Sequence, residues 1–429
     1  MDALETAEVR LWDSCIGAVT WDREQELGSF EYDRGFLRSA IQLAPLMMPL
    51  APGSYRFPTL ARESFFGLPG MLADCLPDKF GNLLIDQWLS KQGRDRASFS
   101  PVERLCYMGV RGMGALEFVP ALRRGHEASA ELQIERLVEL ANAALARQDG
   151  IVAEGVDDIL RVGASAGGAR AKAIVAWNPL TGEFRSGQTR PPPGFEQWLL
   201  KFDGVHGNAD KELADPMGFG LIEYAYYEMA VAAGIEMSKC RILSEGERQH
   251  FMTRRFDRVA DGGKLYMQSF CALGHYDFNQ AGAYSYEQAL DLTVRLGLGK
   301  DQQRQLFRRM VFNVLARNQD DHTKNIAFLM DKQGRWRLSP AYDVTYSYNP
   351  TGPWTSRHQM SVNGKRDDFS HEDLMAVGRR FRLGTGPSVA GIIAEVAAAL
   401  TRWPRFAKSA GVASRRVAAI KATHRVLDH

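Results

Sequence analysis

Three oxygen-bearing side chains lie close together in NQDDHTKNIAFLMDKQGRWRLSPAYDV, residues 318–344: Asp320, Asn325 five positions later, and Asp343. Two short apolar runs, 326–330 and 336–338, lie between the amide and the last acid, separated by Asp331-Lys332-Gln333-Gly334. Polar turn residues with a glycine between apolar runs predict a β-hairpin, which returns Asn325 and Asp343 to one end of it. Oxygen ligands on adjacent strand ends suit Mg²⁺, a hard ion that takes few protein oxygens and completes its shell with phosphates and water. Asp320 would stand beside them as the base or orienter of a hydroxyl nucleophile. The competing reading is an ordinary hairpin whose flanks carry Asp and Asn because both favour turns.

The elements that would have to serve such a site precede it in the chain. Residues 161–172, RVGASAGGARAK, hold Gly163, Ala164, Ser165, Ala166, Gly167 and Gly168, followed by an apolar strand at 173–177. Glycines permit close backbone approach, and exposed N–H groups bind phosphate oxygens. A plain hairpin turn explains the same glycines; Arg170 and Lys172 favour the phosphate reading, and Ser165 offers a hydroxyl. A second strand, 198–202, places Trp198, Leu200 and Phe202 on one face and Lys201 on the other. A lysine in an apolar strand calls for an anion, such as a nucleotide phosphate, unless it snorkels to an edge. A helix near 220–233 offers Glu223 and Glu228 as candidate partners for that lysine. In residues 251–258, FMTRRFDR, Met252 and Phe256 are placed to flank an adenine, and Asp257 to pair with an arginine.

The surrounding chain is predicted to be α+β at its start and helical towards its end. Strands at 9–11, 16–21 and 28–32 form a meander, and 36–43 and 81–89 have helical spacing. The pattern 132, 137, 140, 144, 145 predicts a helix with Ser129 as its N-cap. Helices follow at 286–296 and 302–316, and an amphipathic one spans 389–403. Around it cluster Arg402, Arg405, Lys408, Arg415, Arg416, Lys421 and Arg425, either a solvated face or a docking surface for nucleic acid or an acidic partner.

The 429 residues suffice for about two or three domains. With 45% hydrophobic and 24% charged residues the composition is that of a globular protein, and a net charge of +2 excludes a strong whole-molecule field. The five cysteines lack metal or disulfide spacing and read as small buried residues of a reducing compartment. No stretch approaches the roughly 20 apolar residues of a membrane span, and the acidic start lacks the pattern of a signal peptide, so a cytoplasmic location is expected.

Loop, strand lysine, linker, Asp-x-x-x-x-Asn and later Asp stand in the order found in kinases. Kinase order by itself does not separate protein kinases from small-molecule phosphotransferases. Local wording narrows it: DDHTKN (320–325), RFDR (255–258), SPAYDV (339–344) and SAGGARAK (165–172) resemble the HipA family of bacterial Ser/Thr kinase toxins. LPDKFGNLL (76–84) and VRGMGALEF (110–118) resemble the amino-terminal subdomain of the same family.

The resemblance implies an α+β, protein-kinase-like two-lobed fold with an extra amino-terminal α+β subdomain and a mainly helical C-lobe. Its expected parts are 1–128, a kinase N-lobe at 129–258 and a C-lobe at 259–429. It implies ATP and Mg²⁺ as cofactors, Asp320 as the catalytic aspartate and Asn325 and Asp343 as metal ligands. Lys201 would match the ATP-phosphate lysine with Glu223 as candidate partner, and 252–256 the adenine hinge, including Met252, Arg254 and Phe256. Ser165 would match an autophosphorylated serine whose phosphate, with nearly two negative charges, drives the glycine-rich loop from the ATP site. His322 and Lys324, inside the catalytic loop, are carried as nucleotide-contacting candidates without a proton-transfer role. Expected partners are a helix-turn-helix antitoxin (HipB-like), a protein of translation such as an aminoacyl-tRNA synthetase, and operator DNA reached through the antitoxin or touched by the basic carboxy-terminal region.

Two departures concern hinge contacts and substrate selection: Arg254 stands where an acidic residue is common, and Ser269-Phe270 follow Gln268 where acids are frequent. Alternatives remain a small-molecule phosphotransferase and a catalytically silent co-repressor that binds an antitoxin and DNA.

Overall fold

Trp12 and Asp13 both adopt positive φ (48° and 69°), and between them the chain reverses from β1 (Thr6–Leu11) into β2 (Ser14–Asp22). Two left-handed residues match the twist of a tight hairpin. With β3 (Leu27–Tyr32), β4 (Ser54–Tyr55) and β5 (Leu116–Val119) these strands form a sheet in the order β4-β3-β2-β1-β5. Ala7, Val9 and Leu11 alternate inward along β1, and Val9 lies opposite Phe118 of β5. The expected meander is present.

The computed structural model describes residues 4–122, 131–146, 170–188, 190–205, 217–259, 262–384 and 388–427. The chain packs as two units: Met1–Asp210, Met252–Asp277 and Leu329–Arg335 in the first, and Lys211–Phe251, Phe278–Phe328 and Trp336–His429 in the second.

Besides the amino-terminal sheet, the first unit contains the helix Lys79–Lys91, capped by Asp78 accepting Gly81 N–H at 2.7 Å. The helix Pro101–Met108 begins with a Ser100–Glu103 capping box. Strands β6 (Lys172–Trp177), β7 (Phe184–Ser186) and β8 (Glu196–Lys201) run antiparallel in the order β7-β6-β8. As the alternation predicts, Trp198, Leu200 and Phe202 are buried.

The second unit is largely helical. It begins with the helix Phe219–Ala232 and the hairpin of β9 (Cys240–Glu245) with the start of β10 (Arg248–Arg254). Helices Tyr286–Arg295 and Lys300–Leu315 match the expected periodicity, and Phe307, Met310, Val311 and Val314 of the latter are wholly buried. Back in the first unit, β11 (Tyr266–Ser269) leads into the helix Phe270–Gly274. The hairpin predicted after Asn325 is formed by β12 (Ala327–Met330) and β13 (Trp336–Leu338). Gly334 takes φ 78° in its turn. Among the described residues no helix is long and apolar enough to cross a membrane.

Several local expectations are corrected. Only Phe36–Arg38 of the 36–43 segment is helical, as a 3₁₀ turn, because Ala40 turns left-handed (φ 59°) and ends it. The helix Ile134–Leu145 starts from Gln133 rather than Ser129, which lies outside the described residues. The segment 389–403 is not one helix: Val389–Thr401 ends at Arg402 and a new helix, Trp403–Ser409, starts with Pro404 in its first turn, where a missing N–H costs nothing. Four cysteines are buried, but Cys15 is exposed.

Candidate active site

The helix Lys300–Leu315 ends at Ala316, and Arg317 reverses the chain with φ 58°. The segment beyond it folds on itself around Asp320. His322 N–H and the Asn325 side-chain Nδ2 both donate to Asp320 O, at 3.0 and 2.7 Å. Residues Thr323–Asn325 form a 3₁₀ turn, with His322 Nδ1 accepting from Lys324 N–H at 3.3 Å. An accepting Nδ1 puts the proton of a neutral ring on Nε2. The Lys324 ammonium lies 4.4 Å from the centroid of Phe278, whose ring also meets His322 at 5.6 Å. The Asp320 carboxylate accepts from Trp354 Nε1 at 2.5 Å, a partner that no spacing in the sequence announces.

The carrier of Asp343 is pinned just as closely. Ser339 N–H donates to Ala327 O at 2.9 Å, closing the hairpin, and Ala341 N–H donates to Glu236 O at 2.8 Å. Arg309 Nη2 donates to Ser339 O at 2.6 Å; burial pushes this guanidinium down to about 10, still charged at neutral pH. Tyr342 OH donates to Lys324 O at 2.5 Å, so the residue before Asp343 is bonded to the residue before Asn325. Asp343 itself is left-handed (φ 57°), a conformation that Asp and Asn tolerate better than other side chains with a Cβ.

This donor set fits Mg²⁺. The Asn325 amide spends its Nδ2 on Asp320 O, so its acceptor, Oδ1, is the atom left for a cation. One amide oxygen and one carboxylate on bonded segments are the sparse set that Mg²⁺ uses alongside phosphates.

Asp321, adjacent to the catalytic candidate, was not singled out from sequence. It is 2% exposed and accepts three hydrogen bonds: Tyr286 OH, Gln359 N–H and His358 Nδ1–H, each at 2.8 Å. The ring's other nitrogen, His358 Nε2, lies 2.9 Å from Arg425 Nη1. Guanidinium only donates, so Nε2 accepts and the proton sits on Nδ1, towards Asp321. Arg425 also donates to Val314 O at 2.7 Å and Gln319 Oε1 at 3.2 Å, and pairs with Asp367. That corrects its place in the basic surface cluster: Arg425 is an internal clamp. Arg402, Arg405, Lys408, Arg415 and Lys421 are exposed, with Arg416 half-buried.

The other predicted site residues belong to the first unit, apart from Glu223. Gly163, Ala164, Ser165, Ala166, Gly167 and Gly168 lie outside the described residues. Lys201 ends β8 and stands directly opposite Lys172 of β6. Lys172 is 3% exposed and ion-paired with Asp78 at 3.4 Å, a buried structural role rather than an exposed basic one. Met252 is 1% exposed, Phe256 half-buried, and exposed Arg254 reaches Glu196 at 3.4 Å. Asp257 does pair with arginine, twice: Arg255 and Arg258 both reach its Oδ2 at 2.7 Å. Burial alone would raise this carboxyl, but the two arginines hold it well below the usual carboxylate range. Glu223, 2% exposed, lies on the helix Phe219–Ala232 of the second unit.

Residues 7–119 match the HipA N-terminal domain, and residues 164–403 the HipA-like C-terminal domain. A chain of the Shewanella oneidensis MR-1 toxin–antitoxin complex of HipA, HipB and operator DNA superposes with a TM-score of 0.66 at 17% identity, covering 97% of this chain and 94% of that one. "Putative kinase Y4mE" of Sinorhizobium fredii is 24% identical over 431 residues, which span 94% of this chain and 85% of the relative. The architecture is therefore the mixed α/β fold shared with that chain. With more than half its length matched to the carboxy-terminal domain and residues 7–119 to the amino-terminal one, the chain belongs to the HipA family.

Proposed function

We propose that this chain is an ATP- and Mg²⁺-dependent protein serine/threonine kinase acting as the toxin of a toxin–antitoxin pair in the cytoplasm. The observation that carries the reading is the bond from Tyr342 OH to Lys324 O, which ties the Asp343 segment to the Asn325 turn beside Asp320. Asp320 orients the substrate hydroxyl and accepts its proton, with Trp354 Nε1 fixing one carboxylate oxygen. Asn325 Oδ1 and the Asp343 carboxylate would hold Mg²⁺, which when bound offsets charge on the phosphates. Lys201 binds phosphate oxygens, and Met252, Arg254 and Phe256 border the adenine. His322 and Lys324 shape the loop from within, and Lys324 adds positive charge near the transferred group. Transfer of this kind depends mainly on positioning and charge stabilisation.

The wider reading assigns a HipB-like helix-turn-helix antitoxin, operator DNA reached through it, and a translation protein as phosphoacceptor. The exposed Arg402, Arg405, Lys408, Arg415 and Lys421 suit direct contact with phosphate backbone. Ser165 is the proposed site of autophosphorylation.

The test is intact mass of the purified chain before and after Mg·ATP, with Asp320→Ala as control. A general base contributes about 10²- to 10⁴-fold. Gain of phosphate on Ser165 in the wild type, and its loss in Asp320→Ala with unchanged melting temperature, is the expected result. Phosphate gained equally by both would remove Asp320 from the mechanism.

A further inference from the structure

The amino-terminal region meets the proposed nucleotide-bordering segments at two buried carboxylates. One is Asp78, from the LPDKFGNLL stretch. It caps the helix Lys79–Lys91 and pairs with Lys172 Nζ at 3.4 Å, the two side chains being 1% and 4% exposed. Lys172 opens β6 directly after the glycine-rich stretch, and its cross-strand partner is Lys201. Like charges directly opposite on antiparallel strands are unfavourable. Asp78 balances one of the two lysines, which lets its neighbour serve an anion.

The second carboxylate is Asp257, and it engages the VRGMGALEF stretch. Gly114 N–H donates to Asp257 Oδ2 at 2.7 Å. Arg258 donates to Gly114 O and to Gly112 O, both at 3.0 Å. Gly114 has φ 73°, and a Cβ there would stand 3.2 Å from Met267 N, so the loop approaches as only glycine can. Lys264 Nζ reinforces the joint by donating to Val110 O and Glu117 Oε1, each at 2.7 Å. On the other side, Arg255 N–H donates to Gln197 O of β8 at 2.9 Å. Residues 252–258 are thus held between β8, the strand of Lys201, and the 110–114 loop.

We infer that Asp78 and Asp257 are positioning residues for the nucleotide: through them the amino-terminal region sets Lys201 and the 252–256 segment. The inference rests on the nucleotide reading proposed above. It gives the amino-terminal region a part in ATP affinity rather than a role as a separate module.

The experiment compares the affinity of the full chain for a non-hydrolysable ATP analogue with Mg²⁺, by calorimetry, against melting temperature. Asp78→Asn keeps a capping side chain while removing the negative charge that faces Lys172. Lys264→Met slackens the second joint and leaves Asp257 and its arginines intact, so it carries the test if Asp78→Asn fails to fold. Glu103→Gln, which weakens the buried Arg94–Glu103 pair in the same region, serves as the stability control. Asp78→Asn and Lys264→Met are expected to weaken analogue binding about 10-fold and 3-fold, with Glu103→Gln binding as the wild type does. Unchanged affinity in both joint variants, or equal loss in the control at equal melting temperature, overturns the inference. A wild-type chain that fails to bind the analogue overturns the nucleotide reading itself.

Discussion

Arg425 Nη1 lies 2.9 Å from His358 Nε2, and the opposite nitrogen of that ring lies 2.8 Å from Asp321 Oδ2. Arg425, four positions before the last residue, is thereby linked, through one imidazole, to the residue beside the proposed catalytic aspartate. Hydrogen bonds to charged groups contribute about 1.5–3 kcal/mol each, and low local dielectric makes such a chain sensitive to the loss of any member. Arg425→Met should lower unfolding free energy by about 1–3 kcal/mol and kcat about 10-fold, with KM for ATP little changed. Denaturant titration and steady-state kinetics check the two parts. A loss in KM alone would place Arg425 in binding rather than in ordering the 319–321 segment.

Trp354 should behave differently, because it touches the carboxylate proposed as catalytic. Trp354→Phe keeps a large ring while removing the donor to Asp320 Oδ1. A charge-assisted hydrogen bond of about 1.5–3 kcal/mol corresponds to roughly 10- to 150-fold in rate if it is made fully in the transition state. Single-turnover transfer should fall within that range at unchanged analogue affinity. Wild-type turnover by this variant would mean that the Trp354 bond does not orient Asp320 for transfer.

Asp343 combines a left-handed backbone with the proposed ligand role, and two substitutions separate them. Asp343→Asn keeps a side chain that tolerates φ 57° but removes the charge; Asp343→Ala removes both. The alanine variant should be less stable than the asparagine variant by about 1 kcal/mol. Both should demand more Mg²⁺ for half-maximal transfer, the readout being activity against Mg²⁺ concentration. An unchanged Mg²⁺ requirement in Asp343→Asn would remove it as a ligand.

What the sequence made legible follows from how local each signal is. The hairpin after Asn325 was readable because its turn chemistry and apolar runs are contiguous, and Gly334 supplies the positive φ. Lys201 stood out because a cation interrupts an apolar strand. Asp321, Trp354 and His358 were not readable: their bonds cross 34 to 37 residues of chain. Arg425 was misread for the same reason. Among arginines and lysines of one helical neighbourhood, only tertiary contact with Asp367 and Val314 distinguishes the internal one. The break at Arg402 was signalled by Pro404, but the apolar periodicity continued through it.

Acid stability offers a last test, and its sign is set by two histidines kept neutral. His275 Nε2 accepts Gly70 N–H at 3.0 Å, with Phe57 and Phe65 around the ring, and burial pushes its pKa down to about 4. His424 Nε2 lies 3.1 Å from Tyr226 Oη, whose own proton goes to Ala316 O; burial first, and then Arg317, lowers it to about 4 as well. In the unfolded chain both titrate near 6.5. Between those values the unfolded state binds more protons, so stability rises with pH. The contribution is complete above pH 6.5 and is lost as pH falls towards 4, by at most about 3 kcal/mol for each ring. Asp257 and Asp373, both held below the usual carboxylate range, lose their contributions only below about pH 4, outside that window. Urea unfolding between pH 7.5 and 4.5 should show the decline, and His275→Gln with His424→Gln, which cannot titrate, should flatten it. A slope unchanged in the double variant would mean that other groups carry the acid sensitivity.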